Sequence, residues 1–394
     1  MKLLIYTHAF APMIGGVETY TRLMAESLAK DAHAAAKPRT EVTVVTQAPV
    51  RSDYDEQFPF CVVRRPGLLR LVKLIHKAAL VQLAGPCLLP MLIALLLRKP
   101  IVIEQHGYQA VCPNGMLLYE PMKTICPGYF MARQYGECLR CNHTGLSWRK
   151  SLTMLLLTFP RRWLCQRVAA NVAVTAHVQR RIDLPRSQFI YHGIPDPLSS
   201  QSAPGQIATS PTPEPLCFAY VGRLVSEKGL PLLVEAAARL RDQGYKFRLK
   251  FVGDGPERRR LELAVAASEI QPEVSFTGLL SGKKLEEALL DVAVVVMPSI
   301  WEETAGIAAI EQMFRGRLVI ASDVGGLGEI VGEAGLKFPL SDVSALVNCM
   351  KQVLDKPDIV SILGQEARTR ALNCFGLERV MNQHLAIYDR LCKL

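Results

Sequence analysis

The chain has 394 residues, 49% of them hydrophobic and 21% charged, which gives room for two domains with separate cores and excludes a disordered or collagen-like polymer. Its net charge of +10 is confined to one half, since residues 1–200 carry 24 Lys and Arg against 12 Asp and Glu and the remainder is slightly acidic. A basic half fits nucleic acid or an anionic membrane surface. Aromatic residues are not interleaved with the basic ones, and no helix-turn-helix or RNA-binding signature occurs, so nucleic acid is set aside and peripheral membrane contact preferred. Eleven cysteines, an odd number with no export signal before them, argue against a disulfide framework and for a reducing, cytoplasmic compartment.

In chain order, Leu3–Tyr6 reads as a first strand, followed by Gly15-Gly16 and a helix from about Thr19 to Lys30. Paired glycines let backbone approach a ligand at the carboxyl end of a strand, where open parallel sheets bind their ligands; a tight turn is the alternative. Glu41–Thr46 and Phe60–Arg64 read as further strands. Between them, Asp53-Tyr54-Asp55 has the spacing of a metal-binding acid pair, but among Arg51, Ser52 and Glu56 it reads as a solvated turn.

Residues 78–97 are uncharged and long enough to span a bilayer. Gln82, Gly85, Pro86 and Pro90 interrupt the run, and Arg98-Lys99-Pro100 leads directly into the strand Ile101–His106. A helix that is buried, or that dips into a membrane surface beside Arg64, Arg65, Arg70, Lys73 and Lys77, is therefore expected. His106 ends its strand before Gly107 and is expected to point into a cleft. Cys112, Cys126, Cys138 and Cys141 have enough thiolates for a structural zinc, with free thiols or labile disulfides as alternatives. Residues 151–167 mix apolar and basic side chains around Trp163, as expected for contact with lipid headgroups or for a buried helix with basic ends. Asn171–Thr175 and Phe189–Tyr191 close the first half as strands.

Six prolines between Pro195 and Pro215 mark a linker. The expected domains are 1–195, with a cysteine-containing insertion at about 107–150, and 216–375, separated by a linker at 196–215. A terminal helix within 376–394 would pack back on the first domain. Strand Leu216–Val221 runs into a glycine turn carrying Arg223 and Lys228, where cations neutralise a diphosphate. Strands at Phe247–Val252, Val274–Thr277, Val292–Met297 and Leu318–Ala321 continue an alternating βα pattern. The fold class is α/β, two Rossmann-like doubly wound domains.

The stretch Pro298–Glu329 carries the chemistry. Thr304 is a candidate N-cap, so Ala305, Gly306 and Ile307 would present unpaired amides to an anion. Glu303 and Glu311 would stand roughly 12 Å apart along the helix axis, one on each side of that anion. Carboxylates bind sugar hydroxyls well and phosphates badly, so the spacing suits a nucleotide-sugar.

The segment Trp301-Glu302-Glu303-Thr304-Ala305-Gly306, the strand Gly316–Ala321, and Gly325-Gly326 with Glu329 together resemble the donor-binding signature of the family 4 retaining glycosyltransferases. Gly222-Arg223-Leu224 with Glu227-Lys228-Gly229 resembles that family's phosphate-binding turn. The resemblance implies a GT-B fold with two domains facing a cleft, bordered by Gly15 and Gly16. It implies Glu303 and His106 beside the donor sugar as the catalytic pair. Arg223, Lys228 and the Gly306 and Ile307 amides would hold the diphosphate, and Glu311 the ribose. Sugar transfer to a hydroxyl acceptor would retain the anomeric configuration without a metal, through a covalent Glu303 intermediate or through front-face attack, which the family favours. A lipid-linked or polysaccharide precursor is the expected acceptor. A nucleotide-sugar epimerase and a non-catalytic scaffold subunit are the alternatives.

Overall fold

The computed structural model describes residues 1–13, 15–34, 40–49, 55–199 and 215–393. Two compact units divide the chain. The first comprises Met1–Met122, Cys126–Pro195 and Phe375–Leu394; the second comprises Lys123–Ile125 and Asp196–Cys374.

In the first unit the opening run of apolar residues forms the strand Lys2–Thr7, buried from Leu3 onward. It lies in parallel between Glu41–Thr46 and Leu80–Leu83. The full sheet runs Cys61–Arg64, Glu41–Thr46, Lys2–Thr7, Leu80–Leu83, Ile101–Gln105, Ala170–Ala173, Ser187–Phe189. Strand order reverses beside the first strand, which is the doubly wound pattern and places the Gly15-Gly16 turn at a switch point. Gly16 opens the helix Gly16–Ala34, with Glu18 in its first turn. The terminal helix Leu377–Cys392 packs against that helix, burying Val380, Met381, His384 and Tyr388.

The second unit repeats the arrangement with six parallel strands ordered Val274–Gly278, Arg248–Val252, Cys217–Val221, Val294–Met297, Leu318–Ser322, Leu336–Phe338. Its central strands read as unbroken apolar runs because helices cover both faces. Phe251 is fully buried and stacks on Phe276 at 4.8 Å between ring centroids.

Three sequence expectations need correction or relocation. The uncharged stretch 78–97 is not one helix. Leu80–Leu83 is an interior strand of the first sheet, and only Leu88–Leu96 is helical, because Gly85 at φ 109° and Pro86 turn the chain between them. Asp55 holds Arg64 in a two-pronged ion pair, Oδ1 2.6 Å from one guanidinium nitrogen and Oδ2 2.7 Å from another; Asp53 and Tyr54 lie outside the described residues. The strand Leu336–Phe338 was not expected from the sequence, and most of the expected linker, 200–214, is also outside the described residues.

Replacing Phe251 with Ala opens a void against Phe276 and is expected to cost about 3–5 kcal/mol. Urea unfolding of the wild type and the variant measures it, and a loss under about 1 kcal/mol would contradict the packing described.

Candidate functional site

In the second unit, the strand Val294–Met297 ends at Pro298 and the chain then crosses the carboxyl edge of the sheet before the helix Ile307–Phe314. The helix begins two residues later than Thr304 would set. Its N-cap is Gly306, in a left-handed conformation at φ 70° and ψ 55° that a side chain at this position would strain. The first amides of the helix have no carbonyl one turn earlier to bond, so they are free to meet an anion.

Glu303 is 7% exposed and both its oxygens are engaged. Oε1 lies 2.5 Å from the Lys228 ammonium, and Oε2 accepts a 2.7 Å hydrogen bond from Ser299 Oγ. Lys228 comes from the turn after the strand Cys217–Val221, so the pair ties two neighbouring strand ends together. That turn is fixed in place because Gly229 lies directly against the Pro298 carbonyl and Ile300 N–H donates to the Glu227 carbonyl. The Glu303 carbonyl accepts from Gly326 N–H at 2.6 Å, and a Cβ on Gly325 would sit 2.7 Å from Glu303 backbone atoms. A glycine pair in the next loop thus holds the backbone that carries the acid.

Arg223 is exposed, and its carbonyl accepts from the Tyr220 hydroxyl at 2.8 Å. Burial, then the Glu303 and Glu227 charges, push that hydroxyl's pKa well above its ordinary value. Burial likewise raises the Glu311 carboxyl, opposed by Arg315 one helical turn on. Arg223, Lys228, Glu303, Gly306, Ile307 and Glu311 all belong to this one unit, whereas Gly15, Gly16 and His106 belong to the first.

Two further residues were not singled out from the sequence. Ser299, buried to 1%, anchors Glu303, and nothing local marks a serine after a strand as an anchor. Trp301 lies under Lys228, whose ammonium is 5.8 Å from its ring, and its buried indole N–H has no hydrogen-bond partner among the described residues.

In the first unit His106 is largely buried, with Nδ1 3.0 Å from His192 Nε2 and Nε2 3.4 Å from Glu104. Glu104, His106 and His192 are, among the described residues, the group whose ligand atoms lie within 4.8 Å of one another. The four insertion cysteines are buried and lie in one another's electrostatic fields, but no three of their sulfurs form such a group. The Asn114 amide stands between two of them, Oδ1 3.0 Å from Cys112 Sγ and Nδ2 3.6 Å from Cys141 Sγ. Burial chiefly pushes the Cys138 thiol up to about 12 and the Cys141 thiol up to about 11.

A family model described as Glycosyl transferases group 1 matches residues 207–370. Over those residues, within the second unit and fewer than half of the chain, the sequence resembles this family. It is 31% identical over 249 residues to the 2-deoxystreptamine glucosyltransferase of Streptomyces kanamyceticus, covering 60% of this chain and 64% of that protein. It is 34% identical over 161 residues to the sulfoquinovosyl transferase SQD2 of Arabidopsis thaliana, covering 40% of this chain and 30% of that one. The chain therefore spans less than two thirds of the length of these curated relatives. Anabaena HepE, solved with UDP and glucose, matches over the whole of both chains with a TM-score of 0.71 at 18% identity. TarM from S. aureus, in complex with UDP among other ligands, matches with a TM-score of 0.66 at 11% identity over 98% of this chain and 99% of that one. These likenesses establish the fold as GT-B.

Because the Glu311 carboxyl is raised, its ionised form is incomplete at mildly acid pH. If that carboxylate accepts from a ribose, nucleotide-sugar affinity rises as pH increases above the ordinary carboxylate range, and Glu311→Gln flattens the rise. Calorimetric titration from pH 5 to 8 measures this, and equal pH dependence in both proteins would contradict it.

Proposed function

We propose that the chain is a retaining glycosyltransferase that moves a hexose from a nucleoside diphosphate donor to a hydroxyl acceptor. The Lys228–Glu303 pair beside the Gly306 helix start carries this reading. When the glycosidic bond breaks, negative charge collects on the diphosphate. A half-buried ammonium, an exposed arginine and the first helix amides are the groups that stabilise such charge without a metal. Arg223 and Lys228 supply the cations, and Gly306 and Ile307 supply the amides.

Glu303 has both oxygens occupied, which suits a fixed acceptor for a sugar hydroxyl better than an attacking nucleophile. That favours front-face attack assisted by the departing phosphate over a covalent intermediate. HepE has been solved with UDP-glucose, and one of the relatives is named a glucosyltransferase, so UDP-glucose is the first donor to test.

The acceptor is proposed to be a lipid-linked or polysaccharide precursor met at an anionic membrane surface. No helix among the described residues is long and apolar enough to cross a membrane. Three helices of the first unit nevertheless turn apolar side chains outward. Leu69 is 79% exposed on Leu68–Lys77, Leu96 74% on Leu88–Leu96, and Trp163 52% on Trp148–Cys165. On the last helix Leu152, Leu156, Phe159 and Trp163 follow a helical stripe, and the helix Leu88–Leu96 packs against both others. Arg70 and Lys73, Arg149 and Lys150 lie on two of these helices, and Arg98 and Lys99 follow the third in sequence. An epimerase acting on a soluble nucleotide-sugar needs no such face. Apolar side chains inserted among headgroups, ringed by cations, are how a peripheral protein holds to an anionic bilayer.

Thermal-shift measurements against UDP-, GDP-, ADP- and TDP-sugars test the donor. At about 100 times Kd, binding adds roughly 2.7 kcal/mol to stability and raises the melting temperature by a few degrees. Glu303→Ala and Lys228→Ala are expected to remain folded and to lose transfer, and normal turnover in either would count against the assignment. For the membrane, Leu69→Ser, Leu96→Ser and Trp163→Ser combined are expected to abolish co-sedimentation with phosphatidylglycerol vesicles. Wild-type protein that stays in the supernatant would overturn that part.

A further inference from the structure

The helix Trp148–Cys165 turns two different faces to its surroundings. Leu152, Leu156, Phe159 and Trp163 are exposed, while Leu155, Thr158 and Cys165 are buried. Arg161 stands three residues after Thr158 and four before Cys165, so helical spacing puts it on the inward side. An arginine in such a place normally has a carboxylate or several carbonyls as partners. Arg162 beside it follows that rule, donating to the Ile182 carbonyl at 2.9 Å and to the Asp183 carbonyl at 3.0 Å. Arg161 does not. Half-buried, it donates one long hydrogen bond, from Nη1 to the Gln109 carbonyl at 3.4 Å, and among the described residues no carboxylate pairs with it. Burial lowers its pKa, and the groups that oppose the shift are two thiols, Cys165 and Cys87, rather than any acid. Its Nε and Nη2 are unbonded but not sealed from solvent.

The neighbours of this side chain place it at the carboxyl edge of the first sheet. His8 follows the strand Lys2–Thr7, Cys87 follows Leu80–Leu83, and Gln109 follows Ile101–Gln105, three strands that lie side by side in parallel. That edge is where open parallel sheets take their ligands. Burial of part of the His8 side chain, then the Arg161 charge, lowers the imidazole below its ordinary value. Cys87 is the N-cap of Leu88–Leu96 and supplies no side-chain cap, which leaves the first amides of that helix unspent. The two free nitrogens of Arg161, Nε and Nη2, are the side of the fork that takes two oxygens at once, as the same pair in Arg64 does with Asp55. Free guanidinium nitrogens, an imidazole and open amides, with no acid among them, are the donors that hold a phosphate.

We propose that Arg161, with His8 and the open first turn of Leu88–Leu96, binds the phosphate or diphosphate group of the acceptor. This deepens the reading of the first unit as the side that meets a lipid-linked acceptor, and rests on it. A saccharide joined to a lipid through phosphate carries its anion between the two. Phe159 and Trp163 lie two residues to either side of Arg161 and on the opposite face of the helix, so roughly 10 Å, one helix diameter, separates the apolar stripe from the guanidinium. One molecule can therefore lay its lipid on the stripe and its phosphate on the arginine. A neutral glycan has no use for either.

Calorimetric titration of the full chain, saturated with UDP to fill the diphosphate site of the second unit, tests this with farnesyl diphosphate, pyrophosphate and farnesol as probes. Farnesyl diphosphate is expected to bind wild-type protein, and Arg161→Gln to weaken it roughly tenfold or more. Arg161→Lys, which keeps the charge but loses the fork, is expected to fall between the two, and neither change is expected to alter the affinity for farnesol. The melting temperature and UDP affinity of both variants are expected to stay at wild-type values, which separates a lost site from a lost fold. Equal affinity for the two phosphate probes in wild type and Arg161→Gln, or no binding of either probe to wild type, would overturn the proposal. Tighter binding of farnesyl diphosphate than of pyrophosphate, reduced by Trp163→Ser, would support the site with a lipid-borne phosphate as its ligand. Equal binding of the two, both lost in Arg161→Gln, would support the same site with a soluble phosphate. If UDP does not bind at all, the donor reading fails, while the loss of pyrophosphate affinity in Arg161→Gln still decides the role of Arg161.

Discussion

An ammonium and a carboxylate 2.5 Å apart, Lys228 and Glu303, join two adjacent strand ends of the second unit, and the rest of the site is arranged around them. Neither charge is fully solvated, so each depends on the other when no ligand is bound. Ser299 takes the second oxygen of the acid, Gly326 holds its backbone carbonyl, and the close approach of Gly229 to Pro298 fixes the turn that carries the lysine. Such a pair is poised to exchange partners. Under the proposed function, an incoming diphosphate would compete for the ammonium, and a sugar hydroxyl for the carboxylate. The helix start at Gly306 adds its dipole to the same place, because the position that a Cβ of Gly306 would take is 3.9 Å from Glu303 Oε1.

The basic first half of the chain divides its unusual residues between two tasks. Exposed apolar side chains lie on its outer helices, while His106, His192 and Glu104 are drawn inward. Burying four titratable groups together is costly unless each hydrogen has a partner, and a single misplaced proton would leave an ion unpaired. The terminal helix contributes His384 and Tyr388 to that core, so the last residues of the chain bear on the interior of a sheet built from the first.

Much of this was legible in the amino-acid sequence where glycines and charges punctuate strand ends. The turns at Gly222–Gly229 and Gly325-Gly326, the strands around them and the doubly wound class were read closely because that punctuation is local. The strand Leu80–Leu83 was hidden, since four apolar residues running on into an apolar helix have no period to separate them. Gly306 displaced Thr304 as the cap because a left-handed glycine is ordinarily the mark of a helix end, and here it opens one. Ser299 and Glu104 carried no signal of their own, and Trp301 was legible only as one residue of the signature segment. What distinguishes them is burial, which only the packed sheet creates, and a serine or a glutamate in a strand looks the same whether it faces water or the core.

The central claim is that Lys228 is a diphosphate-binding charge held in reserve by Glu303. Calorimetric titration of UDP into wild-type, Lys228→Met and Glu303→Gln proteins tests it most directly, because free UDP has no sugar for Glu303 to hold. The account predicts that Lys228→Met weakens UDP binding about tenfold or more, as removal of one charge partner does, while Glu303→Gln leaves the affinity equal or tighter by freeing the lysine. Equal UDP affinity in wild type and Lys228→Met would contradict it.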